Sequence, residues 1–595
     1  MTTQPILYRL TPFDPSGHRL RVQMTIARPA SGGQRLSLPA WIPGSYLIRD
    51  FSRHVLTLEA RSGRQRVDVE KLDSHTWRCA PCKGPLHVEY TVYAWDLSVR
   101  GAHFDESHAF FNGTSVFLQA HGHAQAPCQL ELQPPPGIRG WKAYTSLPHA
   151  PRRAMPANGF GHYLAPDYDA LIDHPVEMGK PASVRFKVNG VEHEMVFTGV
   201  VPNLDLARIA RDVRKICAAQ MALFEPQTQA APFLDSSPRY VFMTMVTDDG
   251  YGGLEHRAST ALMTSRRSLP TLGQTGATPE YQEFLGLVSH EYFHTWNVKR
   301  IKPAAFAPYD LTRENHTRLL WVFEGFTAYY DDLMLLRAGL ITPEAYFKTL
   351  ARTIGNVHAG AGRLKQSAAE SSFDAWTRFY KQDENAANAI VSYYTKGSLV
   401  ALGLDLLIRN QTRGKRSLDD VMRLLWQRYG KRFYQGRAQG VDEAAMPAII
   451  RQATGVDAAG FIERYAYGRE DLPLAELLAG QGVELSWKAA QTTPSLDART
   501  RTQHGLTTLA AVHEGGAAHR AGLSAGDTLV AIDGLRVSSE DSLKHLLAAH
   551  RPGDTVTVHV FRRDELRRFS LTLSQPAATT CELRRIGDAG TGKQP

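Results

Sequence analysis

Hydrophobic and polar residues alternate in short runs along the first third of the chain, a pattern typical of β-strands. Clusters of glycine, proline and asparagine separate the runs, and this spacing favours an antiparallel sandwich. We therefore predict a β-rich, sandwich-like N-terminal domain over residues 1–195. The runs that support this prediction are Arg19–Thr25, His54–Glu59, His87–Ala94, Ser115–Leu118 and Ala182–Val188.

The pattern becomes mainly helical after residue 200. Apolar residues recur at helical spacing over 204–223, and a continuous apolar run over Tyr240–Val246 predicts a strand. Residues 280–470 are mostly helical in pattern, and Ser417 with Asp420 is typical of a capping box that opens a helix. These patterns predict a mostly helical domain over 196–480 with some strand, so the chain belongs to the multidomain α+β class.

A boundary near Leu472–Leu474 separates a small C-terminal domain, which we place at residues 481–575. Its pattern predicts a short helix over Ser542–Ala549. The polar, glycine- and threonine-rich residues 576–595 predict a disordered tail. The predicted strands of this domain are Leu506–Val512, Thr528–Ile532, Thr555–Phe561 and Phe569–Leu573.

Composition and charge exclude several classes of protein. The chain has 595 residues, which implies roughly three or four domains, and its hydrophobic fraction of 43% is ordinary for folded protein. The net charge is +9, but the basic residues occur as pairs such as Lys299-Arg300 and Arg562-Arg563. We interpret them as a diffuse basic surface and expect no nucleic-acid partner.

The cysteines and the apolar runs bear on the cellular compartment. Five sparse cysteines do not indicate a disulfide framework, and we interpret the isolated pair Cys79 and Cys82 as a coincidence in a loop. No run is long enough to span a membrane, and the N-terminus does not resemble a signal peptide. We expect a cytoplasmic protein without a membrane partner, although a signal removed beforehand would leave no trace.

His290-Glu291-Tyr292-Phe293-His294 has the spacing of a catalytic metal site. Residues four apart lie on one face of a helix, so both imidazoles can bind one zinc ion. Glu291 lies beside them and is the candidate general base. Two ordinary helix histidines remain the alternative unless a third ligand exists.

Glu324 is the candidate third ligand. It is the only acidic residue in the aromatic and apolar segment Trp321–Tyr330. A buried carboxylate is costly unless it is paired or binds a metal. Two imidazoles and one carboxylate leave a coordination position open, which is the catalytic form of a zinc site. Asp331 and Asp332 are either partners that orient a ligand histidine or solvated acids.

These motifs resemble the gluzincin metallopeptidases, the thermolysin-like group, and most closely the glycyl aminopeptidase family that carries a C-terminal PDZ domain. The run Ala521–Gly534 resembles the corresponding segment of bacterial-type PDZ domains, which bind peptide termini. The resemblance implies a thermolysin-like catalytic domain and one zinc ion per chain. It extends over nearly the whole chain, and its other segments are Trp41–Tyr46, Gly252–His256, His290–Pro303 and Trp321–Tyr330.

The resemblance also implies substrate-binding residues. Gly252 and Gly253 would line the cleft, and Glu255 would bind the substrate ammonium, although a solvated glutamate in a glycine-rich turn is the alternative. Tyr394 would stabilise the oxyanion, with Tyr393 one residue away as the other candidate. Both tyrosines could instead belong to the core.

We therefore predict a zinc-dependent aminopeptidase that removes small N-terminal residues, glycine or alanine, from peptides. The alternatives are a thermolysin-like endopeptidase and a peptide-binding scaffold built on the PDZ domain. The preferred residue, the physiological substrate, the oligomeric state and the PDZ ligand do not follow from the sequence.

Overall fold

A computed structural model describes residues 4–586 except 152, 154, 155, 437 and 490. The chain divides into two compact units. The first unit contains residues 1–315, 330–341 and 422–443, and the second contains residues 316–329, 342–421 and 444–595. The helices Gly325–Arg337 and Leu418–Leu425 contain residues of both units.

The N-terminal part of the first unit is β-rich, as predicted. Within the described residues it contains one seven-stranded sheet and two four-stranded sheets. Successive side chains of a strand point to opposite faces of the sheet, so alternating apolar residues form a core on one face. In Arg19–Ile26, for example, every second residue is fully buried. The strands are Ile6–Asp14, Arg19–Ile26, Gln34–Ser37, Val55–Ser62, Gln65–Val67, Val69–Lys71, Thr76–Cys79, Leu86–Tyr93, Ala102–Phe104, His108–Phe111, Gln119–Ala120, Cys128–Leu132, Lys142–Tyr144, Gly161–Ala165 and Val176–Gly179.

A five-stranded mixed sheet follows in the same unit. Its strands begin before the predicted end of the N-terminal domain. The sequence pattern places Ala182–Val188 in an N-terminal domain that ends at residue 195. Instead, Ala182–Val188 and Val191–Thr198 pair with each other and continue into Arg239–Thr247. The boundary therefore falls before residue 182. The remaining strands are Gly252–Glu255 and Ser259–Ser265, and the helices of this unit are Tyr168–Ile172, Leu206–Phe224 and Pro279–Phe293.

The second unit combines helices with a C-terminal β domain. Four of its strands lie where strands were predicted, and Ala498–Gln503 and Leu535–Arg536 are additional. The strands there are Ala498–Gln503, Leu506–Val512, Thr528–Ile532, Leu535–Arg536, Thr555–Arg562 and Glu565–Thr572. The helices of the unit are Leu320–Phe323, Pro343–Ala359, Ala368–Phe373, Ala386–Ala389, Thr395–Thr412, Met446–Thr454, Ala459–Ile462, Leu474–Ala479, Ala517–Ala521 and Glu540–Ala548.

The predicted disordered tail is wrong for part of its length. Thr580–Arg585 is a strand that pairs antiparallel with Val483–Lys488. Its Cys581 is buried, and hydrogen bonds to a partner strand satisfy a backbone that composition alone suggested would stay solvated. Residues 587–595 lie outside the described part of the chain. Among the described residues, no helix has the length and apolar character required to cross a membrane.

Candidate active site

The helix Pro279–Phe293, which we call the motif helix, carries the two histidines. Thr278 caps its start, where the Thr278 hydroxyl accepts a hydrogen bond from the Tyr281 backbone N–H, and Pro279 occupies the first turn. His290 lies in the last turn and His294 caps the end. Their ring centroids are 4.6 Å apart. The i, i+4 spacing therefore places both imidazoles on one face, as predicted.

Each imidazole is oriented through its Nδ1 atom. The His290 Nδ1 atom lies 3.1 Å from Asp331 Oδ2, and the His294 Nδ1 atom lies 2.8 Å from the Asn297 carbonyl oxygen. Both partners are acceptors, so each Nδ1 carries the proton and each Nε2 keeps its lone pair. This is the arrangement that orients histidine ligands for a metal ion. Asp331 therefore contacts His290, which is one of the two possibilities left open above, whereas the sequence did not indicate the carbonyl of Asn297.

Two carboxylates lie beside this pair. Glu255 and Glu291 are buried, and each offers an oxygen within 4.8 Å of a ring nitrogen of His294 and of the other carboxylate. A β-carbon on Gly253 would lie 2.0 Å from Glu291 Oε1. The glycine at this position therefore lets the strand Gly252–Glu255 lie directly against the candidate base.

The turn Trp41–Tyr46 closes over Glu255, a contact that the sequence did not indicate. A β-carbon on Gly44 would lie 2.5 Å from Glu255 Oε2, and Gly44 has a φ of +93° that favours glycine. The Trp41 Nε1–H donates to the Asp310 carbonyl at 2.9 Å, and the Tyr46 ring stacks on Phe306. The N-terminal part of the chain thus contributes a fixed wall to the site.

Replacing Gly44 by alanine is expected to lower kcat/KM for free-amine substrates about tenfold, because the methyl group would displace the Glu255 carboxylate. The displacement would weaken the expected charge-assisted hydrogen bond between the Glu255 carboxylate and the substrate ammonium, which is worth about 1.5–3 kcal/mol. Steady-state kinetics on an amino acid amide measures the effect. Gly122→Ala is the matched control, since Gly122 has a φ of +83° and a β-carbon there meets nothing within 4 Å. Equal effects of the two substitutions would then come from backbone strain alone. Equal kinetics for both variants would contradict the contact.

Asp173 anchors the segment that follows Glu255. Its Oδ1 accepts hydrogen bonds from His256 Nδ1 at 3.0 Å and Lys299 Nζ at 2.9 Å, and its Oδ2 accepts one from Arg257 Nε at 2.9 Å. Burial alone would raise the pKa of Asp173, but the Lys299 ammonium and the other donors hold that pKa well below its usual range. Lys299 and Arg300, interpreted above as surface residues, are in fact buried. Asp235 pairs with the Arg300 guanidinium.

Lys302 gives a pH-dependent prediction. Burial, with the nearby Lys299 charge, lowers the pKa of Lys302 to about 7, whereas an unfolded lysine titrates near 10.4. Between these values the unfolded chain binds the proton and the folded chain does not, so stability rises with pH. Relative to Lys302→Met, the free energy of unfolding of the wild type should rise by at most about 1.4 kcal/mol per pH unit from pH 7 to 10. A melting-temperature difference that stays constant with pH would contradict this.

Glu324 and Tyr394 both belong to the second unit. Glu324 is 2% exposed and precedes the helix Gly325–Arg337, with its carbonyl accepting from the Ala328 N–H at 2.8 Å. A β-carbon on Gly325 would lie 2.6 Å from the Gly397 backbone. The two glycines therefore allow a close crossing that brings the start of the helix Thr395–Thr412 near Glu324.

The tyrosines at this crossing differ in exposure. Tyr393 is fully buried and its ring stacks on that of Tyr394 at 4.6 Å, whereas Tyr394 is partly exposed. Burial and the nearby charge of Glu324 raise the pKa of Tyr394 well above its usual value. Its hydroxyl therefore stays protonated at neutral pH and can donate a hydrogen bond.

Comparisons with known proteins agree with this description. Family models match the peptidase M61 N-terminal domain over residues 7–180, the M61 glycyl aminopeptidase over 283–400 and a PDZ domain over 494–573. A solved aminopeptidase N family protein from Idiomarina loihiensis is 41% identical, with 98% of each chain covered and a TM-score of 0.92. An M1 zinc metallopeptidase from Deinococcus radiodurans is 14% identical over 80% of this chain and 95% of that chain, with a TM-score of 0.46. No curated protein matches the chain.

The fold and the comparisons define a metallopeptidase of the aminopeptidase type. The chain belongs to the M61 glycyl aminopeptidase family and carries a C-terminal PDZ domain. The predicted resemblance, the fold class and the enzyme class are thereby confirmed.

Proposed function

We propose that this protein is a zinc-dependent aminopeptidase, with one zinc ion per chain held by His290, His294 and Glu324. The observation that supports this most directly is the pair of imidazoles on the motif helix, each oriented through Nδ1 with its Nε2 lone pair available. Two imidazoles and a carboxylate are a donor set that suits zinc and leaves one position open.

The helix Gly325–Arg337 supports the choice of Glu324 as third ligand. Glu324 and Asp331 are separated by about two helical turns, so they lie on similar faces of a continuous helical segment. Asp331 contacts His290, and Glu324 is a buried carboxylate among apolar residues. All three proposed ligands are side chains that could hold a metal ion.

The other residues take the remaining steps of peptide hydrolysis. The zinc ion that His290, His294 and Glu324 would hold would supply a Lewis acid for the scissile carbonyl and the attacking water. The Glu291 carboxylate accepts the proton of the attacking water and delivers it to the leaving amine. The Tyr394 hydroxyl donates a hydrogen bond to the carbonyl oxygen as negative charge develops there. The lower exposure of Tyr393 favours Tyr394 for this role.

Glu255 accounts for exopeptidase specificity in this proposal. Its Oε1 atom is buried and has no hydrogen-bond partner among the described residues, so it can accept one from a substrate ammonium. Gly252 and Gly253 let the substrate backbone approach the same strand. The contact of Gly44 with the Glu255 carboxylate supports a site closed behind the substrate amine, from which a single N-terminal residue, glycine or alanine in this proposal, is removed.

Metal analysis and hydrolysis of amino acid amides test the proposal. We expect one zinc ion per chain, hydrolysis of glycine and alanine amides, and loss of activity with a chelator that added zinc restores. N-acetylated peptides should be cleaved poorly. Internal cleavage of N-acetylated peptides would support the endopeptidase alternative instead. Peptide binding by the PDZ domain remains a prediction.

A further inference from the structure

The strand Gly252–Glu255 lies at one end of the mixed sheet. Its only paired neighbour among the described residues is Ser259–Ser265, so its other backbone edge has no strand partner in that part of the chain. An extended peptide can add to such an edge through main-chain hydrogen bonds. A substrate held at Glu255 would therefore continue along this strand toward Gly252.

Charged groups mark both ends of the strand. Glu255 ends it, and Glu291 lies against Gly253. At the other end, Arg100 Nη1 lies 4.0 Å from where a β-carbon on Gly252 would be. Successive residues point to opposite faces, so Arg100 reaches the strand from the face opposite Glu291. A peptide on the open edge can be contacted from both faces.

The side chain of Arg100 is half-buried, and its guanidinium makes no hydrogen bond or ion pair with the described residues. Its Nε atom is buried without a hydrogen-bond partner in the described part of the chain, and no ion pair found there involves Arg100. A partly buried cation without a counter-charge is unfavourable, and guanidinium groups bind carboxylates through two parallel hydrogen bonds. A ligand carboxylate is therefore a counter-charge that this guanidinium is suited to bind.

The backbone around Arg100 is held in place by Asn112. The Asn112 side-chain amide donates to the Val99 carbonyl at 2.9 Å and to the Gly101 carbonyl at 3.3 Å. The Arg100 N–H donates to Ser98 Oγ at 3.2 Å. Asn112 is fully buried, so the segment that carries Arg100 is fixed before any ligand binds.

We propose that Arg100 binds the C-terminal carboxylate of short peptide substrates, so that tripeptides with a free carboxylate are preferred over longer or amidated peptides. The inference rests on the proposed aminopeptidase function and specifies its substrate class. Three strand steps of about 3.3 Å separate Gly252 from Glu255, and an extended tripeptide spans about the same 10 Å. One substrate can therefore reach both charged side chains.

Hydrolysis of trialanine and of its C-terminal amide tests the proposal, since both carry the same free amine. The wild type should cleave the acid with a kcat/KM about 10- to 100-fold above that of the amide. Arg100→Met should lower kcat/KM for trialanine about 10- to 100-fold and change kcat/KM for its C-terminal amide by no more than about twofold. Arg100→Lys should retain part of the preference, because it keeps the charge but not the paired hydrogen bonds.

Arg64→Met is the matched control, because Arg64 is an exposed arginine in the same domain. Equal cleavage of acid and amide by the wild type would overturn the proposal, as would equal losses on both substrates in Arg100→Met with normal metal content and melting temperature. Failure to cleave either free-amine substrate would instead contradict the aminopeptidase function itself.

Discussion

Replacing Glu291 by glutamine is expected to lower kcat about 10²- to 10⁴-fold while the protein keeps its metal, since this is the range that a general base contributes. Glutamine has nearly the shape of glutamate but cannot accept the proton of the attacking water. The side chain is buried against Gly253, so the amide should occupy the same space. Steady-state kinetics on an alanine amide and metal analysis of the same preparation measure both quantities.

The control for this variant lies on the same helix. Glu283 is exposed, so Glu283→Gln removes the same charge from the motif helix without touching the site. His290→Ala and Glu324→Ala should behave differently from Glu291→Gln, because they should lose the metal. If Glu291→Gln retained more than a few per cent of activity with metal bound, the assignment of the base would be wrong.

The motif helix shows what local sequence can predict. Its start follows from Thr278 and Pro279, and the face shared by His290 and His294 follows from helical periodicity alone. Four strands of the C-terminal domain could be predicted equally well, because turn glycines bracket short runs of alternating apolar and polar residues. Such features depend on neighbours within a few residues, which a single sequence displays directly.

Contacts between distant segments could not be predicted in this way. Nothing near Gly44 indicates that it packs on Glu255, because the contact depends on how the Trp41–Tyr46 turn docks through Asp310. Lys299 and Arg300 have the local pattern of surface residues, and their ion pairs with the distant Asp173 and Asp235 help to make their burial tolerable. The strand Thr580–Arg585 likewise depends on a partner far away in the chain.

Removing the carboxylate of Glu255 should separate the aminopeptidase from the endopeptidase interpretation. Glu255→Ala is expected to lower kcat/KM for free-amine peptides roughly tenfold to more than a hundredfold, because charge-assisted hydrogen bonds contribute about 1.5–3 kcal/mol. Glu255→Gln should lose less, since it keeps an acceptor but not the charge. Glu106→Ala, which removes an exposed glutamate, is the control.

The same three variants should be measured on N-acetylated peptides, which the wild type should barely cleave. In the proposed function, an ammonium held by Glu255 would place the bond after the first residue beside Glu291, because both carboxylates offer oxygens within 4.8 Å of each other. Without an ammonium, the substrate loses this alignment whether or not Glu255 is present, so the small residual rate should not change. If the wild type cut N-acetylated peptides internally, and Glu255→Ala left free-amine cleavage unchanged, Glu255 would not select the N-terminus and the endopeptidase interpretation would take its place.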